Sequence, residues 1–333
     1  MAGYLVQRLA GTVPVLLFIS LLVFLLIHAA PGDPTLLLLG EETNAAEVAK
    51  AKERWGLDRP LHIQYWRFLT SALSGEFGKS FKFAEPVSSV IKTRLPATIE
   101  LAIFSIIIAI LLAIPLGVWA GAKPNSWIDN VGTTCGLFGI SMPSFWLGIM
   151  LILFLAGVLN ILPTSGRNTY GVAGPEITGF YLLDSVIQKN WQGVWDGLTH
   201  ICMPALALGM NMLGILMRVT RSSVLDVMNE EYVVTARAKG LAERNVLWRH
   251  VTSNALIPVV TVVGLELGTL LSGSIIVETV FAWPGGGSLL ITALNARDYP
   301  LVTGLVMTYT AAFVILNLMI DGLYAIIDPR IRY

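Results

Sequence analysis

One short segment, at residues 75–80, carries side chains with which proteins hold phosphate groups. It is GEFGKS and ends in Gly-Lys-Ser. A phosphate-binding loop also needs a glycine five residues before Gly78, and Leu73 occupies that position. No strand rich in valine and isoleucine precedes the segment, although such a loop normally joins a strand to a helix. We therefore expect no nucleotide site here.

The other reactive residues form no catalytic or metal-binding arrangement. The sequence has four histidines and two cysteines, and it contains neither His-Glu-x-x-His nor Gly-x-Ser-x-Gly. We expect no metal site, interfacial positions for the histidines, and buried packing roles for the two thiols. These residues are His28, His62, His200 and His250, with Cys135 and Cys202.

One acid, Glu266, lies inside an apolar stretch, where a charge is costly and faces protein or water rather than lipid. It lies about 160° around the helix from a stripe of small residues. The stripe, Gly264, Gly268 and Ser272, predicts close packing against a neighbouring helix. Glu266 then either faces a polar path, or is protonated, or is hydrogen-bonded to a span of a partner. Glu278, near the outer end of the same stretch, is expected at the membrane interface.

The elements that must position these residues are membrane-spanning helices. Apolar residues make up 55% of the chain and charged residues 13%, against about 25% charged in soluble domains. Several runs of about 20 residues, enough to cross a bilayer, carry almost no charge. A formal net charge of zero excludes a basic nucleic-acid surface. The sequence predicts an all-α polytopic protein with six transmembrane helices at roughly 9–30, 99–122, 133–159, 201–217, 256–281 and 301–327.

The distribution of lysine and arginine predicts both termini on the cytoplasmic side. The basic segment 218–249 falls on that side if the N-terminus is inside, and the opposite segment 160–200 holds only Arg167 and Lys189. The first apolar run is too long for a signal peptide, so we expect it to remain as a span. We expect residues 1–98 to form the first helix and a long external loop, and residues 99–333 to form a five-helix core with a loop at 218–256.

A polar, alanine-rich stretch, EYVVTARAKGLAERN, lies between the fourth and fifth predicted spans. It predicts a short helix with Asn229 as N-cap and Gly240 as left-handed stop, followed by a second helix at 243–250. Tyr232, Ala236 and Gly240 recur at four-residue spacing, so one face becomes small enough for a partner to approach closely. The pattern indicates either a docking helix or a linker helix on the membrane surface.

Short motifs give the chain a resemblance to a known family. TARAKGL at 235–241, with Arg249-His250 and NALIP at 254–258, resembles the coupling loop of ABC-importer permeases, most closely the dipeptide/oligopeptide/nickel family. The resemblance extends along nearly the whole chain. Its other motifs are PGDP at 31–34, GLDRP at 56–60, SMP at 141–143, TRSS at 220–223, ETVF at 278–281, WPG at 283–285, RDYP at 297–300 and DPR at 328–330.

The resemblance implies the type I importer permease fold and a place in the bacterial cytoplasmic (inner) membrane, in contact with lipid. It implies a second homologous permease, two ABC ATPase subunits, and a periplasmic or lipid-anchored solute-binding protein as partners. The cargo is expected to be a di- or oligopeptide, with glutathione and nickel chelates left open. This chain would be no enzyme and hold no cofactor, because the ATPase subunits would bind ATP and magnesium.

The patterns in the sequence and the resemblance together give individual residues expected roles. The translocation path is expected to include Ser141, Met142, Pro143, Glu266, Thr269 and Gly273. Contact with the ATPase is expected from Tyr232, Thr235, Ala236, Arg237, Ala238, Lys239, Gly240 and Leu241.

The alternative is a self-contained secondary transporter or channel, driven by an ion gradient with Glu266 as its proton or cation site. Six spans, no evident inverted repeat, and a polar helix between spans four and five all disfavour this alternative.

Overall fold

The computed structural model describes residues 2–29 and 59–327, but not the side chains of 2–10, 26–29, 271–273, 321 and 323–327. Outside these limits lie the motifs at 31–34 and 328–330, most of the loop after the first span, the side chains of His28 and Ser272, and the surroundings of Gly273. The helices in chain order are α1 (Ala2–Ala29), α2 (Leu61–Ser74), α3 (Val87–Ala122), α4 (Trp127–Ser141), α5 (Ser144–Leu151), α6 (Tyr181–Ile187), α7 (Trp191–Met228), α8 (Glu231–Ala238), α9 (Glu243–Asn245), α10 (Thr252–Val280), α11 (Gly286–Asn295) and α12 (Tyr299–Ile327).

The described part of the chain is helical, and its only β-type pairing is an isolated bridge between Lys79 and Pro86. Two π-helical stretches extend the helices: Ile152–Val158 continues α5, and Val246–Val251 joins α9 to α10. Because lipid offers no hydrogen-bond partners, a backbone satisfied within helices is what a bilayer requires.

Four helical stretches among the described residues are long and apolar enough to cross a membrane. If α4 and α5 with its π-helical continuation are counted together as one bent span, the described residues hold up to five spans. α1 holds a shorter apolar stretch, Gly11–Leu25. The predicted class, an all-α polytopic membrane protein, is therefore confirmed. The four stretches are Val87–Ala122, Trp191–Met228, Glu243–Leu270 and Tyr299–Ile320.

The third predicted span, 133–159, is not one straight helix. α4 ends at Ser141, α5 begins at Ser144, and the two are bent by 109°. Met142 is extended, with φ −89° and ψ 129°, because Pro143 disfavours the helical conformation of the residue before it and has no N–H. The prediction of an unbroken span is wrong, and the break leaves two helix ends without helical partners for their terminal polar groups.

The helices of the fourth and fifth predicted spans are longer than predicted. α7 has 38 residues, because polar turns continue the helix on both sides of its apolar centre at 201–217. Its first turn is capped by Asn190, whose side chain accepts a hydrogen bond from the Gly193 N–H at 3.0 Å. The second short helix expected at 243–250 is instead the beginning of the fifth span, since helical structure continues from Glu243 through α10.

The described chain divides into two compact units. The first combines residues up to 95 with 289–318, and its core includes Val87, Ile91, Leu301 and Leu305. In this unit the Gly-Lys-Ser segment has a structural role: Ser80 is buried and its hydroxyl donates to the Asp298 carboxylate. No helix begins directly after Ser80, as a phosphate-binding loop would require.

The second unit combines residues 96–288 with residues from 319 onward. Its organising element is α7, against which α4, α5, α6 and α10 all pack. The core is built from apolar side chains of these helices and of α3, including Leu101, Met203, Leu216 and Val277. The candidate functional residues described below all lie in this unit.

Candidate functional site

The break between α4 and α5 opens a cavity that α7 and α10 complete, with a volume of about 520 Å³. The break itself places Ser141, Met142 and Pro143 on its wall, and α10 contributes Glu266 and Thr269. The structure thus brings together all the residues expected in the translocation path except Gly273, whose surroundings it does not describe.

Polar groups lie on several sides of this cavity. Asn211 of α7 adds an amide, and Ser141 and Ser144 add hydroxyls. Among the lining residues that the structure describes, Glu266 is the only ionisable one, and none is basic. The cavity therefore carries the charge of one carboxylate when Glu266 is ionised.

Asn211 is not among the residues that the sequence predicted for this site. An amide in the middle of a membrane-spanning helix is the same kind of signal that identified Glu266, because a polar group there needs a partner or water. Its side chain is exposed in the isolated chain, and so are those of Ser141 and Thr269. The cavity is therefore open at one side.

Glu266 is oriented by its own helix. The Thr269 hydroxyl lies 2.9 Å from Glu266 Oε2 and 2.8 Å from the Glu266 carbonyl oxygen, and so bridges the two acceptors. In the part of the chain that the structure describes, no basic side chain forms an ion pair with Glu266. Its Oε1 atom remains available to a group inside the cavity.

Small residues let the helices around the cavity approach closely. Gly264 and Gly268, two members of the predicted stripe, are buried. A close approach joins α4 to α7, where a Cβ on Gly214 would clash with the Gly136 carbonyl oxygen. The four-residue spacing of Gly132 and Gly136 is the signal that could have predicted it.

The stretch EYVVTARAKGLAERN contains α8, a two-turn helix with one face packed and one face free. Val233 and Ala236 are 0% and 7% exposed, because positions three apart lie on the same face of a helix. They join an apolar cluster of valines from α3, α7 and the segment before α10. Ala236, expected to contact a partner, has its methyl group buried in its own chain, so its contact with the ATPase stays a prediction.

The free face of α8 presents a different set of residues. Val234 is 57% exposed and Leu241, just beyond the helix, is 42% exposed. Val234 was not predicted, although its four-residue spacing from Ala238 places the two on one face. The exposed residues that were predicted are Tyr232, Thr235, Ala238, Lys239, Gly240 and Leu241.

The two ends of α8 differ in how well they were predicted. Its N-cap is Glu230, whose backbone is extended, whereas Asn229 ends α7 and donates to the Leu225 carbonyl. The prediction of Asn229 as N-cap is therefore wrong. Gly240 has φ 77°, and the Leu241 N–H donates to the Ala236 carbonyl at 3.4 Å, which confirms the left-handed stop.

Polar contacts hold α8 to the beginning of the fifth span. Arg237 Nε donates to Glu243 Oε1 at 2.7 Å. The Asn254 amide donates to the Tyr232 hydroxyl oxygen at 2.9 Å, and that hydroxyl lies 3.4 Å from the His250 carbonyl oxygen. Arg237 and Tyr232 are therefore already engaged within the chain, and Lys239 is the exposed basic residue of the predicted set.

A second acid, Glu278, lies at the end of α10 and is fully buried, at 0% exposed. Its carboxylate accepts hydrogen bonds from the Thr98 hydroxyl at 2.7 Å and from the Ser288 N–H at 2.9 Å. Beside it, the Trp283 indole donates to the Ala97 carbonyl at 2.9 Å. Glu278, expected at the membrane interface, is thus enclosed by the protein, with donors from α3 and from the first turn of α11.

Carboxylates also order the segment between α5 and α7. Glu100 accepts from Arg167 Nη2 at 2.6 Å and from the Leu182 N–H at 2.9 Å. Asp184 accepts from the N–H groups of Ile177, Thr178 and Gly179 at 2.9–3.1 Å and from the Thr178 hydroxyl at 2.6 Å. Burial opposes ionisation of Asp184, but these hydrogen bonds outweigh it and lower the pKa of Asp184 below its usual 3.8.

Replacing Asp184 with asparagine should release the segment at 177–179. An amide cannot accept four hydrogen bonds, and each lost bond to a charged acceptor costs about 1.5–3 kcal/mol. Because the folded-state pKa is lowered, the ordering contribution is fully present at neutral pH and is lost only as the pH falls below about 3.8.

A spin label attached through Glu176→Cys, with Cys135 and Cys202 replaced by serine, would measure this ordering. We expect slow label motion from pH 7 to about pH 4, and fast motion in Asp184→Asn at any pH. The control is Asp226→Asn, which changes an exposed acid of α7. Equal label motion in Asp184→Asn and the parent would contradict the assignment.

The two cysteines lie elsewhere than predicted, and one histidine is enclosed by the protein. Cys135 and Cys202 are exposed on the surface of the chain rather than buried, because an apolar surface suits a helix that faces lipid or another subunit. His200 is buried, with its Nδ1 2.8 Å from the Asp196 carbonyl oxygen. Among the described residues, no cluster of three histidine, cysteine or acidic side chains could hold a metal ion.

Comparison with known proteins covers the whole chain. Residues 113–333 match the family described as binding-protein-dependent transport system inner membrane component, and residues 1–102 match the N-terminal family of such membrane components. The dipeptide transport system permease protein DppB of Alkalihalophilus pseudofirmus is 39% identical over 333 residues, covering all of both chains.

Two further relatives are similar over the same length. The glutathione transport system permease protein GsiC of Salmonella typhimurium is 40% identical over 333 residues, again covering all of both chains. The dipeptide transport system permease protein DppB of Escherichia coli is 40% identical over 338 residues, covering all of this chain and 99% of the relative. This chain therefore belongs to the family of inner-membrane components of binding-protein-dependent transport systems.

Proposed function

We propose that this chain is the permease subunit of an ATP-driven importer that moves di- and oligopeptides across the bacterial cytoplasmic membrane. The observation that carries the proposal is α8, whose inner face is anchored to three spanning helices, α3, α7 and the fifth span, while its outer face exposes Val234 and Leu241. A self-contained transporter needs no such surface. The names of the relatives, dipeptide and glutathione transport permeases, support peptides as the cargo.

The packing of α8 supports a route by which a partner could drive transport. Val233 and Ala236 lie in one apolar cluster with Val224 of α7 and Val251 at the start of the fifth span. α7 and α10 also line the cavity. Closure of the ATPase subunits against α8 would therefore shift α7 and α10 against the break between α4 and α5, and would alternate access to the cavity.

The translocation path would be this cavity together with its counterpart in a second, homologous permease. Asn211, Ser141 and Thr269 are exposed in the single chain, so a second permease could cover the open side. A solute-binding protein would deliver the peptide. Polar groups on the wall would replace part of the water that the peptide loses on entering.

The topology of the assembly follows from the same proposal. The chain would have six spans with both termini in the cytoplasm, a first part at 1–98, and a five-helix core at 99–333. Two ATPase subunits would bind beneath α8 and hold ATP and magnesium. This chain would then need no nucleotide site and no cofactor of its own.

Replacing Val234 with aspartate should weaken assembly with the ATPase. The side chain is 57% exposed on α8, so the change leaves the apolar cluster beneath intact, while a carboxylate at the centre of an interface is costly to desolvate. We expect co-purification of the ATPase subunits to fall at least about tenfold. Val234→Thr, which keeps the shape and adds no charge, should retain assembly.

The assembly itself is the test of the proposed function. The chain would be co-expressed with a candidate second permease and candidate ATPase subunits, and purified through a tag on this chain alone. Recovery of all partners with the parent and loss of the ATPase with Val234→Asp would support the proposal. Equal recovery of the ATPase with the parent and with Val234→Asp would show that α8 is not the ATPase contact.

A further inference from the structure

The cavity at the helix break is built asymmetrically with respect to charge. Its polar side chains are those of Ser141, Ser144, Asn211, Thr269 and Glu266, and the part of its wall that the structure describes has no lysine, arginine or histidine. Hydroxyl and amide groups can serve both signs of charge, because each has a donor and an acceptor. The one ionisable group can serve only a cation or a hydrogen-bond donor.

Glu266 is arranged to receive such a group. The Thr269 hydroxyl holds its Oε2 atom at 2.9 Å, while in the described chain no residue donates to Oε1 and no basic side chain pairs with the carboxylate. Because the hydroxyl belongs to the next turn of the same helix, the carboxylate keeps its place on the cavity wall when neighbouring helices move.

A peptide that leaves water carries an ammonium group at its amino end. An ammonium taken out of water without an acceptor is strongly unfavourable, and a charge-assisted hydrogen bond to a carboxylate is among the stronger compensating interactions. A volume of about 520 Å³ is within the range of small-ligand sites. The cavity thus combines suitable size with a carboxylate, the one charged acceptor among its described lining residues.

We propose that Glu266 receives the protonated amino group of the transported molecule, so that the cavity favours substrates with a free ammonium over those whose amino group is blocked. This proposal rests on the proposed function, since it concerns the cargo of the same cavity. Ser141 and Asn211 hydrogen-bond the remaining polar atoms of the substrate. Glu266 thus determines specificity inside the permease, in addition to the selection of cargo by the solute-binding protein.

The test uses the complete transporter in proteoliposomes with its solute-binding protein and labelled alanyl-alanine. Glu266→Gln keeps the size of the side chain and removes its charge, so we expect uptake to fall about 10- to 100-fold. ATP hydrolysis stimulated by the loaded binding protein should stay within twofold, because the contact is with cargo. Glu266→Asp should restore much of the uptake, and Glu176→Gln, an exposed acid, should match the parent.

A second readout avoids the selectivity of the binding protein. Saturation-transfer NMR on the purified assembly, without binding protein, compares alanyl-alanine with N-acetyl-alanyl-alanine. We expect a clear signal from the free peptide in the parent, and a much weaker one after acetylation or after Glu266→Gln. Equal binding of the two peptides to the parent would overturn the proposal.

The uptake assay can also overturn it. Uptake by Glu266→Gln within twofold of the parent would remove Glu266 from substrate recognition. A joint fall of uptake and ATP hydrolysis that Glu266→Asp does not reverse would assign Glu266 a structural role. If the parent shows no ATP-dependent uptake, the proposed function fails, and the NMR comparison still judges Glu266 on its own.

Discussion

Replacing Gly240 with tryptophan is expected to reduce ATP-driven uptake at least about tenfold, because it places a large ring on the partner-facing end of α8. A Cβ at this position would meet nothing within 4 Å in the chain itself, so the ring would extend outward. The backbone strain is modest, since a left-handed conformation costs an L-residue roughly 1–2 kcal/mol. Folding and membrane insertion should therefore survive while contact with the ATPase does not.

Gly240→Asn separates the two effects of this change. Asparagine tolerates positive φ better than other side chains, and it adds little bulk. We expect this variant to retain more than half of the parent uptake, and both variants to reach the membrane in equal amounts by immunoblot. Full uptake by Gly240→Trp would contradict the docking role of α8.

Replacing Glu278 with alanine is expected to have the largest effect on stability. The change removes the acceptor of the buried Thr98 hydroxyl and of the Ser288 N–H, and each lost hydrogen bond costs about 1–3 kcal/mol. The cavity left by the lost side chain adds to this. We expect at least about 3 kcal/mol of destabilisation, seen as a drop of about 6 °C or more in the thermal-unfolding midpoint in detergent.

Two variants make this measurement specific. Glu278→Gln keeps one acceptor oxygen, so its midpoint should lie between those of the parent and of Glu278→Ala. Glu176→Ala, at an exposed acid, should leave the midpoint unchanged. A midpoint of Glu278→Ala within about 1 °C of the parent would show that this carboxylate does not hold α3, α10 and α11 together.

Local chemistry explains which features the sequence could predict. The helical class follows from apolar runs of bilayer length. The stop at Gly240 follows because glycine is the residue that adopts positive φ without strain. The resemblance places Ser141, Met142 and Pro143 in the expected path, and the cost of an acid inside a span places Glu266 there. The structure gathers them with Thr269 around one cavity, and the break that Pro143 imposes is the physical cause.

Long-range contacts explain what the sequence could not predict. Buried Glu278 is hydrogen-bonded to Thr98, which is 180 residues away in the chain. No local sequence pattern predicts such a pairing. Ala236 has the spacing of an exposed docking face, yet the cluster beneath α8 takes that face, and its valines come from α3, α7 and the segment before α10. Which side of a short helix is buried depends on such neighbours rather than on its own residues.

The break in the third span is the instructive intermediate case. Apolar composition continues across Met142 and Pro143, so hydropathy predicts one span. Membrane helices tolerate proline when neighbouring groups satisfy the freed backbone hydrogen-bonding groups, so a proline alone does not predict a break. Here the residue before it is extended instead, and the helix turns by 109°. Because the same break forms the cavity, the error in the predicted helix lies at the candidate site.

The most direct test of the central claim is uptake of labelled alanyl-alanine by proteoliposomes holding this chain with its candidate permease, ATPase and solute-binding partners. The account predicts uptake that requires ATP and the binding protein, persists after the proton gradient is collapsed, and disappears in Gly240→Trp. Uptake by this chain without an ATPase, driven by a proton gradient and dependent on Glu266, would contradict it and support a self-contained secondary transporter.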